Sequence, residues 1–238
     1  MKKRILIATT SHATKGTTGK PTGAYLPEIA HPHAVFTRAG YAIDLASVNG
    51  GEIPLDGVDQ ADAVSMAFLA SHSEELKRSQ RALDVDPQRY DAIFFAGGHG
   101  AMWDLPDNTA FATVAASIYE RGGSVAAVCH GPAALVNVKL ADGSYLVAGK
   151  AVSAFTNEEE RAVKLDNVVP FLLEDRLKQR GARHEGVSMW QEKVVVSERL
   201  VTGQNPASAT GVAESVVTVL QNISELSTTA APVEKVLR

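Results

Sequence analysis

Cysteine is almost absent from this chain of 238 residues: Cys129 is its single thiol. One cysteine cannot close an internal disulfide, so nothing in the fold calls for an oxidising compartment. Aromatic residues are sparse at 6%, and charge of neither sign dominates, the formal net being −4. That balance argues against nucleic acid or an anionic membrane surface as the main partner. Long apolar runs are also missing, and none approaches the roughly 20 residues that span a bilayer. The start, MKKRILIATT, turns from basic to apolar as a signal peptide does. Its apolar stretch is too short for that role, and SHATKGTTGKPTG follows it. A cytoplasmic protein is the expectation. There is no internal repeat and no low-complexity linker.

What is present is alternation. With 45% apolar residues the chain can bury a sizeable core. Short apolar runs at 4–8, 42–47, 92–97, 124–128, 151–155 and 200–203 read as buried strands. Between them, helical patterns occupy about 25–39, 64–80, 108–121, 132–138, 167–180 and 206–222. Strands alternating with helices predict right-handed crossovers, hence a mainly parallel sheet covered on both faces. The fold class expected is α/β, a flavodoxin-like three-layer sandwich. WQEKVVVSERLVTGQN reads as a hairpin turning near Glu198 at the sheet edge, with Trp190 packed beneath it. Residues 1–223 form one domain, and 224–238 are a polar C-terminal extension whose VEKVL could pack on a neighbour. In such sheets ligands bind outside the carboxyl ends of the strands, so function is sought there.

Cys129 stands at one of those ends, in SVAAVCHGPAAL. A lone cysteine is ordinarily a small buried hydrophobe. Here it lies between a strand end and a helix start marked by Pro132, the placement of a nucleophile elbow. A helix N-terminus favours the thiolate, so a lowered thiol pKa is expected. His130 supplies an acid–base group, and Gly131 leaves room for a ligand. The turn GGHG after the strand at 92–97 lets backbone approach a ligand, so amides of Gly98 and His130 are candidates for an oxyanion hole. It lacks the spacing of a dinucleotide fingerprint. Carboxylates come from Glu28, beside Pro27, and from Glu158, Glu159 and Glu160, of which the residues alone do not say which points inward.

AGGHGAMWDLPD, AAVCHGPAAL, AFTNEEE and LVTGQNPAS, in this order and spacing, resemble the ThiJ/PfpI superfamily over about residues 4–222. More narrowly they resemble its glutathione-independent glyoxalase (glyoxalase III) branch, which overlaps with heat-inducible chaperone-like members. The resemblance implies Cys129 as nucleophile, His130 as its neighbouring histidine, Glu28 against the thiol and Glu160 behind the histidine. It implies conversion of 2-oxoaldehydes such as methylglyoxal to 2-hydroxy acids without glutathione, metal or other cofactor, by a homodimer. Other readings are a holdase that binds unfolded chains, and a deglycase, amidase or peptidase acting on glycated proteins or amides. The related glutamine amidotransferases carry a late His-x-Glu pair, and TGQNPASATG here has no histidine. Asn205 and Pro206 instead suit an N-cap and first turn.

Further residues are weighed against packing. His99 and Trp103 are possible pocket residues, Trp103 more a packing one. His31 and His33 in EIAHPHA are two apart on a helix, so they point to different faces and no metal site is expected. His12, His72 and His184 have no partner suggested by spacing.

Overall fold

The computed structural model describes residues 2–229. In chain order the elements are β1 (Arg4–Thr9), β2 (Ala24–Tyr25), α1 (Pro27–Arg38), β3 (Ala42–Ser47), β4 (Leu55–Asp56) and α2 (Ala63–Lys77). Then come β5 (Gln80–Arg81), β6 (Ala92–Phe95), α3 (Ala101–Asp104), α4 (Thr109–Glu120), β7 (Ser124–Val128) and β8 (Ala151–Val152). The chain continues with α5 (Asn157–Ala162), α6 (Leu173–Gln179), β9 (Arg183–His184), β10 (Val194–Ser197), β11 (Leu200–Gly203) and α7 (Ala209–Thr229).

Seven strands form one sheet in the order β10-β11-β7-β6-β1-β3-β5. Every pairing is parallel except the edge hairpin β10–β11. Alternation of side chains divides the core in two. Leu6, Ile93, Phe95 and Val125 face α4 and α6, packing with Phe111, Ile118, Leu173 and Leu177. Ile5, Ile7, Phe94 and Ala126 face the other way, onto Phe36, Phe68, Val212 and Leu220 from α1, α2 and α7. Both faces are buried, so the central strands read as continuous apolar runs, and the three-layer architecture is the expected one. Among the described residues no helix is long and apolar enough to cross a membrane.

The chain builds β1, β3 and β5 outward on one side, then β6, β7 and β11 on the other. The order therefore reverses between β1 and β6, and their carboxyl ends frame the crevice that such sheets use for ligands. A cleft of about 530 Å³ lined by Lys3, Asp91, Arg121 and Leu220 lies at the opposite, amino end of the strands, away from Cys129.

Several expected elements change form. The run at 151–155 does not join the seven-stranded sheet. Only Ala151–Val152 is extended, pairing with β9 in a separate two-stranded sheet. Beyond it the Ser153 amide donates to Thr202 Oγ1 and the Phe155 amide to the Cys129 carbonyl, so the segment bridges over β7 and β11 rather than joining them. The helix expected at 132–138 is a single 3₁₀ turn, Gly131–Leu135. The one expected at 167–180 starts only at Leu173, after a turn in which the Val169 amide donates to the Leu165 carbonyl. The last helix runs on to Thr229, through the boundary placed at 223, and VEKVL lies outside the described residues. Asn205 caps the turn before it, accepting from the Ala207 amide at 3.1 Å, with Pro206 in the first turn as expected. The hairpin turns at Glu198, whose φ is +58°.

Candidate active site

Cys129 leaves β7 with φ +60°, a left-handed conformation uncommon for a residue with a side chain. It is clamped there: its amide donates to the Gly203 carbonyl and its carbonyl accepts from Phe155, both at 2.9 Å. Gly131 makes the turn possible, since a Cβ there would collide with the Phe95 carbonyl oxygen. The elbow expected from SVAAVCHGPAAL is thus present, with the thiol 4% exposed.

His130 follows directly, its Nδ1 3.4 Å from the Cys129 sulfur. Its Nε2 lies 2.8 Å from Glu160 Oε2, on the first turn of α5. The other oxygen of Glu160 meets His99 Nε2 at 2.9 Å, so one carboxylate bridges two imidazoles. Burial alone would raise the Glu160 pKa. The charge of His130 and hydrogen bonds from His130 and His99 outweigh it and hold the group at about 2. Burial, reinforced by His130, lowers His99 to about 4. His99, His130 and Glu160 are also the one group of three or more potential metal ligands among the described residues, one ligand atom of each lying within 4.8 Å of the others.

Glu28 enters from the first turn of α1 and is fully buried. Its Oε2 accepts from the Gly97 amide at 2.8 Å, while Oε1 has no nitrogen or oxygen partner. The carboxyl interacts with the Cys129 thiol, and burial pushes its pKa up to about 8. The thiol does not follow the expectation of a lowered pKa. Burial first, then the charge of and hydrogen bond with Glu28, hold Cys129 well above an ordinary thiol. The reason is structural: a five-residue 3₁₀ turn follows Cys129, too short for a macrodipole, and the thiol is buried. Amides of Gly98 and His130 point at the sulfur and act in the opposite sense. Gly98 has φ +98°, and a Cβ on it would strike the Gly23 carbonyl, so this amide depends on glycine.

The glutamate triplet holds a finding that the sequence reading missed. Glu158 is exposed, but Glu159 as well as Glu160 is buried. Glu159 Oε1 accepts from Asn205 Nδ2 at 2.8 Å, the Trp190 amide at 3.0 Å and Gln204 Nε2 at 3.1 Å. Its Oε2 accepts from the amide and hydroxyl of Thr156, each at 3.0 Å, which completes a capping box. The signal was readable as Thr156-x-x-Glu159 before a helix. Gln204 and Asn205 of TGQN therefore turn their side chains to Glu159, not to the thiol.

The remaining candidates separate. Ring centroids of His99 and His130 are 4.1 Å apart, and the Phe155 ring packs on His130 at 4.3 Å, tilted by 35°. Trp190 does not lie beneath the hairpin: it is 46% exposed, with its ring 5.8 Å from Phe155. Trp103 stacks on His12 at 5.1 Å and leans on the α4-side core, a packing position. Asp104 ties the loop after β1 by accepting from the Thr10 hydroxyl and the Ser11 amide. His31 meets Asp62 at 2.9 Å, while His33 packs on Phe68 and His72, so the two diverge as their spacing requires. His184 lies 3.9 Å from Glu174.

A family model described as DJ-1/PfpI family matches residues 22–219, the stretch that contains this elbow thiol, its histidine, Glu28 and Glu160. The chain belongs to the DJ-1/PfpI family. It is 33% identical over 236 residues to "Glyoxalase 3" of Candida albicans, covering 92% of this chain and 98% of that one. The crystal structure of glyoxalase III from Candida albicans superposes with a TM-score of 0.84 at 31% identity, over 91% of this chain and 97% of the other. The Rapid Encystment Protein 24 kDa of Francisella tularensis gives 0.89 at 41% identity, over 92% and 99%. The DJ-1/PfpI membership and the flavodoxin-like α/β sheet agree with what the motifs implied.

Proposed function

We propose that this DJ-1/PfpI protein is a glutathione-independent glyoxalase that converts methylglyoxal and related 2-oxoaldehydes to 2-hydroxy acids. The observation that carries the reading is Cys129 held between His130 and Glu28, in a chain matched along nearly its whole length by proteins named as glyoxalases. The enzyme's own thiol takes the place of glutathione.

Both acids beside each other are protonated in the resting state, because burial opposes charge on each. His130 Nδ1 is within reach of the thiol proton, and ionised Glu160 supports the positive ring that results. The sulfur adds to the aldehyde carbon, and the carbonyl oxygen takes a proton, giving a hemithioacetal. Amides of Gly98 and His130, aimed at the sulfur, are close enough to receive the developing oxyanion. A base then removes the C1 proton while the C2 oxygen is protonated, forming an enediol. Reprotonation at C2 with collapse at C1 gives a 2-hydroxyacyl thioester on Cys129. Water cleaves it, releasing the acid and restoring the thiol. Glu28, at about 8, serves as the base for the C1 step in its ionised fraction, which grows as the pH approaches 8.

The amidotransferase alternative loses support because Gln204 and Asn205 are engaged with Glu159. The homodimer and a cytoplasmic location belong to the same proposal, and sedimentation of the purified chain tests the former. The activity is tested by incubating the protein with methylglyoxal and phenylglyoxal without glutathione, followed by chiral analysis of the acid. Suppression of client aggregation, equal in wild type and Cys129→Ala and with no acid formed, would favour the holdase instead.

A further inference from the structure

We propose that His99, His130 and Glu160 also form an inhibitory site for a divalent transition metal of the zinc type. The inference takes only its consequence for activity from the catalytic reading; the ligands stand on geometry alone. Three donors from three separate segments converge: the loop after β6, the turn after β7 and the first turn of α5. Their ligand atoms lie within 4.8 Å of one another.

Two imidazole nitrogens and a carboxylate are a donor set that Zn²⁺ takes while leaving a fourth position open. Nitrogen donors select transition metals over Ca²⁺ or Mg²⁺, which prefer all-oxygen shells. Ligands around a tetrahedral ion with bonds near 2.0–2.1 Å stand about 3.3 Å apart. His99 Nε2 is now 2.9 Å from Oε1 of Glu160 and His130 Nε2 2.8 Å from Oε2, so each of these two nitrogen–oxygen edges needs to open by only a few tenths of an ångström to admit an ion. Access is from the His99 side. Its side chain is 15% exposed, whereas those of His130 and Glu160 are 1% and 3% exposed. Lys15 acts on His99 as a nearby positive charge, but its ammonium is 3.6 Å from Asp56 and partly neutralised by it.

The consequence follows from proton placement. To bind an ion, each Nε2 must give up its hydrogen, and a neutral ring then carries it on Nδ1. On His130 that nitrogen faces the Cys129 sulfur at 3.4 Å. A metal-bound His130 therefore presents an N–H to the sulfur and can no longer accept the thiol proton. Glu160 is withdrawn from its supporting role by the same ion. The sulfur is not itself a ligand, because it sits at the other nitrogen of the ring, and this separates the site from ordinary zinc poisoning of a thiol.

The test is titration of the chelator-stripped full-length protein with Co²⁺, read by visible d–d absorption, alongside Zn²⁺ inhibition of turnover reversed by a chelator. The expected result is one Co²⁺ per chain with no thiolate-to-metal charge-transfer band, retained in Cys129→Ser. His99→Gln is expected to weaken binding by roughly 100-fold or more, and His99→Asp, which restores a donor, to recover much of it. Thermal melts establish that both variants are folded. A charge-transfer band lost in Cys129→Ser, or unchanged affinity in folded His99→Gln, would overturn the site. Co²⁺ binding through His99 in a protein that makes no hydroxy acid would instead overturn the glyoxalase reading and leave the metal site standing.

Discussion

Replacing Glu28 with glutamine exchanges a fully buried acid for a neutral group of nearly the same shape. The amide oxygen can accept from Gly97 as Oε2 does, and the amide nitrogen can donate towards the sulfur. In the wild type the carboxyl titrates at about 8 against 4.5 for the free group. Below pH 4.5 both folded and unfolded chains are protonated and the group contributes no pH dependence. Between the two values the folded state holds the extra proton, so stability falls as pH rises, by about 1.4 kcal/mol per unit. From pH 5.5 to 7.5 the wild type therefore loses about 2–3 kcal/mol through this group, and the limit above pH 8 is about 5 kcal/mol. His33 and His99, each lowered to about 4, act in the opposite sense in both proteins and cancel in the difference. Urea unfolding of wild type and Glu28→Gln at half-unit pH steps measures that difference. It is expected to widen in favour of the variant up to pH 8. Curves that stay parallel would refute the burial of an acid with a raised pKa.

The same variant tests chemistry: wild-type kcat/KM for methylglyoxal is expected to rise between pH 6 and 8, and Glu28→Gln to lose both that limb and most of its rate. Cys129→Ser is expected to lower turnover by more than roughly a thousandfold while leaving the melting temperature within a few degrees of wild type. Glu159→Ala strands the Gln204, Asn205 and Trp190 donors in a buried site, with an expected loss of about 3–5 kcal/mol in denaturant unfolding. Gly131→Ala drives a methyl group against the Phe95 carbonyl, and calorimetry should show a loss of about 2–3 kcal/mol together with lost activity.

Much of this was legible because burial on both faces writes the central strands as short, uninterrupted apolar runs. Residues 4–8, 42–47, 124–128 and 200–203 appear as strands for that reason. The same signal misleads at 151–155, where apolarity reflects packing of Phe155 on His130 rather than sheet pairing. The elbow was readable from a strand, a cysteine and a glycine–proline turn. The direction of the thiol's pKa was not, since it depends on enclosure by α1 and on how short the following turn is. Glu159 stayed hidden for a related reason. Its donors come from Asn205, Gln204 and Trp190, some thirty or more residues away, and nothing local announces them.

The central claim is that Cys129 carries the substrate as a covalent adduct while no glutathione is present. Acid-quenched intact-mass spectrometry during turnover of methylglyoxal tests it most directly. The account predicts a transient mass increment of one substrate molecule, mapped by digestion to the peptide containing Cys129, absent in Cys129→Ser and followed by release of one hydroxy acid per substrate. Steady acid production by Cys129→Ser, or turnover in the wild type with no adduct on Cys129 at any quench time, would contradict it.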